Sequence, residues 1–467
     1  MFENSVYIRP ELQDTISDIT VVRDAVKGAA HVRTQKGTYL PRLGSQSNEE
    51  YDAYLLRAYF LGATSATLSG YESSVFRKPI DITGTDMAIM NIDGKGSDIS
   101  GYCRMVFKEV LTSGRAVQWI AKINGEYYLI LYKSEQLVNW ISNDLAIFQE
   151  KRRVKSGNIL EIAYEDSLRI IKPANDNGYS VSISAMPSTA TIGFISGNTL
   201  DPVLLENNIK SYSLQNVGVF PVIPITPSGL HYDPTTVPLV DLAEANFDHY
   251  RLSADLRHGL HTAPYPVFFA SGFPVDKQLK IGSDVAWVTN NASGDAGVLE
   301  YHGYALEHLL STLDSIESNM VGFGARMLEH NKRSSETAEA LRVRQAAQEA
   351  SILGLVRSVS QGVTLGLKTL LAYRNNTIVD RIELDVALPT DLIETRLTSD
   401  ELIALITGWQ QGAIPDEMLE HNFRQGEMIP HRMTSEDFLQ AIIESRAKRA
   451  VENALIGESN NGRRETE

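Results

Sequence analysis

Between Tyr304 and Met327 the apolar residues Leu306, Leu309, Leu313, Ile316, Met320, Phe323 and Met327 follow one another at spacings of 3, 4, 3, 4, 3 and 4. That rhythm puts seven large side chains along one seam of a helix for three heptads. A seam of this length must lie against another helix. The stretch after Pro238, "LVDLAEANFDHYRLSADLRHGLH", supplies a partner of similar spacing in Val240, Ala243, Phe247, Tyr250 and Ala254. A Pro- and Gly-rich insert, 263–303, joins the two. Two arrangements satisfy the pattern: a protruding antiparallel pair, or two amphipathic helices laid over one core.

A longer helix is predicted downstream, from about Ser335 to Arg374 in "SETAEALRVRQAAQEASILGLVRSVSQGVTLGLKTLLAYR". Ser335 is placed to cap it, and Glu336 and Glu339 suit the positive end of its dipole. Forty residues of helix span roughly 60 Å, a length suited to a scaffold. Gly354, Gly362 and Gly366 predict a bend or break along it.

Upstream, "SNEEYDAYLLRAYFLGATSATLSGYESSVFRKP" reads as helix, with Ser47 as N-cap, Tyr51, Tyr54, Leu55, Ala58 and Leu61 on one face, and Pro79 as the stop. A further helix is predicted over about Asp98 to Leu111, closed by Gly114. From Arg115 the period changes to two. "RAVQWIAKIN" and "GEYYLILYK" meet at Asn124-Gly125, a strong hairpin signal. Strand-like runs continue through "NILEIAYED", "SLRIIKP", "YSVSISA" and "VFPVIPITP", so about 115 to 227 reads as mainly β. "TIVDRIELDVAL" is a later strand, 398–456 is helical, and the polar "GESNNGRRETE" is expected to be disordered.

Composition narrows the function classes. The chain of 467 residues is 43% hydrophobic and 22% charged, which is ordinary for a globular protein. Its single cysteine, Cys103, excludes an intramolecular disulfide and reads as a packed thiol. "MFENSVYIRPELQD" lacks the basic-then-apolar order of a signal peptide, and no window is apolar enough for a membrane span, so no membrane partner is expected. The net charge of −15 argues against gripping nucleic acid over a broad surface, which needs cations to neutralise phosphates. It remains compatible with an acidic wall past which DNA moves.

No pattern for catalysis or metal binding emerges, and no cofactor or metal is expected. "DGKGS" at Asp93–Ser97 lacks the first glycine and the terminal Ser or Thr of a phosphate-binding loop. As a calcium loop it places Lys95 and Tyr102 at ligand positions, so it reads as a solvated turn. "GFISGN" is not a nucleophile elbow. His258, His261, His302 and His308 are too sparse for a metal motif and read as surface or interface histidines. Lys332 and Arg333, in "NKRSS", are phosphate donors beside a helix start, or simply part of an exposed loop.

The order of these parts resembles the portal proteins of tailed bacteriophages, in particular those of short-tailed phages. Four stretches carry the resemblance. "TYLPRLGSQSNEEYDAYLLRAYFLGATSATLSGYESSVFRKP" looks like an N-terminal helical opening, and "PLVDLAEANFDHYRLSADLRHGLHTAPYPVFFASGF" like a stem helix entering a clip. "ETAEALRVRQAAQEASILGLVRSVSQGVTLGLK" looks like a long wing helix, and "GWQQGAIPDEML" like a common portal ending. Together they cover most of 38–422, and their specificity lies in their order.

The resemblance implies an α+β, portal-like subunit with a mixed α/β wing, a two-helix stem, a small α/β clip, a long wing helix and a short helical crown. On this sequence the wing is 1–236, the first stem helix 237–262, the clip 263–303 and the second stem helix 304–329. The channel loop is then 330–335, the long wing helix with its return strand 336–397, the crown 398–456 and the polar tail 457–467. Asn331, Lys332, Arg333, Ser334 and Ser335 would form the loop facing DNA, and the seam from Leu306 to Met327 would pack stem helices together.

The implied function is non-enzymatic: a homo-oligomeric ring, of twelve in the family, at one capsid vertex. Viral double-stranded DNA enters through it, driven by a separate terminase, and later leaves through the tail. Implied partners are the terminase large subunit, a head-tail adaptor, and the major capsid and scaffolding proteins. The implied location is the virion, after assembly in the bacterial host cytoplasm. Two other readings stand beside this one: a different head-tail connector or capsid protein, and a cytosolic enzyme using scattered residues such as Asp255, His258 and Glu300.

Overall fold

The computed structural model describes residues 8–44, 46–84, 90–155, 162–175, 177–185, 208–262, 267–273, 279–280, 286–299, 304–324, 338–390, 399–425, 428–429, 433–445 and 447–448. The fold is α+β, in two units, 1–390 and 391–467.

The first unit opens with α1 (Pro10–Lys27), which the sequence reading missed. Pro10 occupies the first turn, where its missing N–H costs nothing. Leu12, Ile19, Val22 and Ala25 form its buried face. A short α2 (Ala29–Thr34) follows. The predicted helix from Ser47 is two helices, α3 (Asn48–Arg57) and α4 (Ala63–Val75). Ser47 and Glu50 close a reciprocal capping box at the start of α3. The break before α4 has a distant cause. Asn246 is fully buried, and its Oδ1 accepts from the backbone N–H of Ala63 at 3.1 Å and of Thr64 at 3.3 Å. It caps α4 from another helix, satisfying donors that no local side chain reaches.

Helix α5 (Ile99–Ser113) is capped by Asp98 and ends at Gly114, whose φ of 70° a side chain would resist. Cys103 lies fully buried on it, and burial pushes its thiol up to about 12. The turn before α5 exposes Asn91, Gly94, Lys95 and Gly96, as a solvated turn does, but not its Asp93. Its Asp93 carboxylate is turned inward and buried, accepting from the N–H groups of Lys95 (2.9 Å) and Ser97 (3.2 Å) and from the Ser97 hydroxyl (2.8 Å).

The β region begins after β1 (Asp81–Gly84). Strands β2 (Ala116–Ile123) and β3 (Glu126–Lys133) form the hairpin at Asn124-Gly125, both turn residues having positive φ. With β9 (Val222–Ile225) they make an antiparallel sheet of order β3-β2-β9. A second antiparallel sheet runs β4 (Leu137–Ile141), β5 (Leu145–Lys155), β6 (Ile162–Pro173), β7 (Tyr179–Ala185), β8 (Asn208–Leu214). "SLRIIKP" and the described end of "NILEIAYED" are one strand, β6, rather than two.

Arg115 ties these sheets together from inside. It is fully buried beneath the Trp140 ring, 4.6 Å from its centre, and donates to the carbonyls of Tyr232, Ser134 and Leu137. Burial brings its guanidinium down to about 9.

Helix α6 (Val240–Thr262), hairpin β10 (Val267–Ser271) with β11 (Asp295–Leu299), and helix α7 (Tyr304–Gly322) come next. Helix α8 (Ala338–Arg374) then runs unbroken for 37 residues. Its glycines do not break it; they let it lie close against the three-stranded sheet. A Cβ at Gly362 would overlap Ile225, and one at Gly366 would stand 2.7 Å from Gln118 Oε1 and 2.9 Å from Leu129. Val356, Val359, Val363, Leu367 and Leu370 bury the same face. Strand β12 (Leu384–Ala387) pairs with β1.

The second unit contains α9 (Ser399–Gln410) and α10 (Asp416–Gln425), joined by a turn in which Trp409 Nε1 donates to Asp416 at 2.7 Å. Glu420 there accepts from Arg424 and Ser435.

Candidate functional site: the helix pair and its hairpin

Helix α6 divides its surface between two tasks. Its first half packs into the N-terminal helices: Phe247 stacks on Tyr39 with centroids 3.9 Å apart, and Phe60 meets both Phe247 and Tyr250. Its second half turns Leu252 and Leu256 onto α7, where Leu306, Leu309 and Leu313 complete an apolar cluster. Gly259 allows a close approach, since a Cβ there would sit 2.7 Å from the Leu306 side chain. His249 lies opposite Glu317 at the other end, with Nε2 3.2 Å from Oε1. Gly259 meeting Leu306 and His249 meeting Glu317 makes the pair antiparallel.

The predicted seam residues are placed as follows. Leu306, Leu313 and Met320 are buried, Leu309 and Ile316 are half-buried, and Phe323 is exposed in the turn after α7. Met327 and the loop residues Asn331, Lys332, Arg333, Ser334 and Ser335 lie outside the described residues, as does the tail 457–467.

Polar groups at the root of the pair are engaged. Tyr54 donates to Asp255 at 2.5 Å, and burial, followed by that carboxylate, raises its hydroxyl well above the usual range. His258 sits edge-on to Tyr54, with Nδ1 3.4 Å from Arg57 Nη1. Asp255 and His258 thus bond to separate partners and not to each other, and Glu300 lies outside the described residues. His249 is nearly inaccessible, and burial holds its pKa below the ordinary imidazole value despite Glu317. Among the described residues no group of three His, Cys, Asp or Glu side chains converges as metal ligands would. No helix among them is long and apolar enough to cross a membrane.

The pair and its hairpin also expose apolar side chains. Leu260 (52% exposed), Leu310 (50%) and Phe323 (47%) stand on or beside the helices, and Phe268, Phe269 and Val298 on the hairpin. The heptad spacing signals the covered seam, and Phe323 belongs to that spacing yet stands exposed; Leu260, Leu310, Phe268, Phe269 and Val298 fall outside it and were not singled out by the sequence pattern.

A sequence-family model described as "Domain of unknown function (DUF4055)" matches residues 238–374, from just before α6 to the last residue of α8. No curated protein matches the sequence. Among solved structures, the chain is similar to one from the virion of a native gene transfer agent particle, with a TM-score of 0.39 and 10% identity over 82% of this chain and 94% of that one. A chain in the neck of an empty gene transfer agent particle, computed with C6 symmetry, gives 0.40 and 10% over 76% and 87%. One in the neck of the native particle, computed with C12 symmetry, gives 0.37 and 11% over 83% and 94%. At these scores the similarity carries no function with it.

Proposed function

We propose that the chain is a subunit of a portal ring at a capsid vertex, a non-enzymatic conduit for double-stranded DNA on which a terminase motor and a tail adaptor dock in turn. The observation that carries this reading is the apolar surface left open on the helix pair and hairpin, from Leu260 and Leu310 to Phe268 and Phe269. Within one chain α6 already covers the seam of α7, so these outer side chains need neighbours of another kind. Copies arranged around an axis with their helix pairs side by side would bury them. The order helix, hairpin, helix and long helix matches the portal resemblance of the sequence. Under this reading α6 and α7 are stem, the hairpin is clip, α8 is the wing helix, and α9 and α10 belong to the crown. Lys332 and Arg333 face the lumen.

Negative-stain electron microscopy with mass photometry on the purified chain tests the proposal. The expected result is rings of about twelve copies around a hole of roughly 20 Å or more. Replacing Leu310 and Phe269 together by lysine should dissociate them into folded monomers. A compact dimer or tetramer without a channel would overturn the reading.

A further inference from the structure

Helices α1 and α5, the turn at Asp93 and strand β3 line a cavity of about 410 Å³ that opens to solvent. Its residues come from four separate stretches of chain, so no local motif marks it. Val26, Met105 and Ile130 contribute apolar wall, and Met105 is 38% exposed there.

The polar groups around it are mostly donors. Lys95, Lys108 and Lys133 line the cavity, are exposed, and form no ion pair among the described residues. Lys27 is held by Asp24 at 2.9 Å, and Arg23 by Glu109 at 2.6 Å and Glu135 at 2.8 Å. Two further donors beside the cavity are buried without a partner: the Tyr102 hydroxyl and Arg23 Nε. The lining carboxylates are already occupied, Asp93 by its own turn and Glu109 by Arg23, Ser113 and the Ser134 N–H. What remains is three ammonium groups without an ion pair among the described residues and two orphaned donors, while both lining carboxylates are engaged. Buried donors without acceptors are costly, so this set favours a molecule rich in acceptors.

We propose that this cavity binds an amphipathic anion, a carboxylate or phosphate joined to a compact apolar body. The anionic group is held by Lys95, Lys108 and Lys133, and the apolar body lies against Val26, Met105 and Ile130. Neither half suffices. Exposed lysines bind a bare anion weakly in salt, and a purely apolar ligand would leave the lysines unused.

Isothermal titration of the full chain with 1-naphthyl phosphate tests this, with inorganic phosphate and 1-naphthol as the two half-ligands. The expected result is saturable binding of one naphthyl phosphate per chain, about tenfold tighter than either half. Lys108→Gln combined with Lys133→Gln should weaken it by about tenfold while the melting profile stays unchanged. Met105→Glu should weaken it independently. Absence of saturable binding, an unchanged constant in the double variant, or inorganic phosphate binding as tightly as its ester would each overturn the proposal. The cavity lies within one chain, so the outcome does not depend on whether the chain forms rings.

Discussion

The side-chain amide of Gln118, buried in the middle of β2, donates to the carbonyl of Gly362 across 3.0 Å. A helix carbonyl already used within its helix accepts a second bond there from a strand. That requires helix and sheet to approach more closely than ordinary side chains allow, and Gly362 with Gly366 provides the room.

Replacing Gly362 by valine forces branched carbons into Ile225. The expected loss of stability is about 1–3 kcal/mol from overpacking, somewhat offset by better helix propensity. Urea unfolding of the variant should show a lower midpoint with an unchanged slope. A midpoint equal to that of the parent would show that the sheet can retreat from the helix.

Asn246→Ala removes the cap that α6 supplies to α4 and leaves the N–H groups of Ala63 and Thr64 buried without acceptors. The expected cost is about 1–3 kcal/mol. Amide hydrogen exchange should rise first in the opening turn of α4, ahead of α6 itself.

His249 makes the contact between α6 and α7 depend on pH. Burial lowers its folded pKa below the ordinary imidazole value, so the unfolded chain binds the proton more readily than the folded one. Stability therefore rises with pH through this window. It falls as pH drops through the unfolded value of about 6.5 toward the lowered folded value. Melting temperature measured from pH 7.5 to 5.5 should decline, and His249→Gln should flatten that decline.

Arg115→Met keeps much of the packing under Trp140 but takes the donors away from the carbonyls of Tyr232, Ser134 and Leu137. The loss is expected to be about 2–3 kcal/mol, read by urea unfolding with Trp fluorescence as the probe. An unchanged midpoint would mean that water enters and replaces the guanidinium.

What the sequence made legible depended on how far apart the interacting residues lie. Local signals translated directly: Ser47 with Glu50, Asp98 with Gly114, and Asn124-Gly125 act within a few residues of themselves, and each marks its predicted boundary. The gap between α3 and α4 was hidden because the residue responsible, Asn246, lies some 180 positions away. The break expected at the glycines of α8 does not occur, for a similar reason. In isolation a glycine signals weakness in a helix, and only the sheet beside it shows that the absent side chain is needed for contact. The turn at Asp93 is exposed as expected, but the burial of its carboxylate was hidden because the donors it meets, N–H groups of the same turn, do not register as residue types. Of the helix pair, the covered seam was periodic and therefore visible, while the outward Leu260, Leu310 and Phe269 follow no period. The lysine-lined cavity was invisible because Lys95, Lys108 and Lys133 meet only through the tertiary fold.

An uninterrupted α8 of 37 residues extends about 55 Å, and Gly362 and Gly366 press it to the sheet within its C-terminal half. Mechanically that is a beam with a clamp near its C-terminal end. A sideways load at its N-terminal end would meet no loop in which to dissipate. The torque would arrive at the clamp, on Gln118, Ile225 and Leu129, and would be felt as shear between β2 and β9.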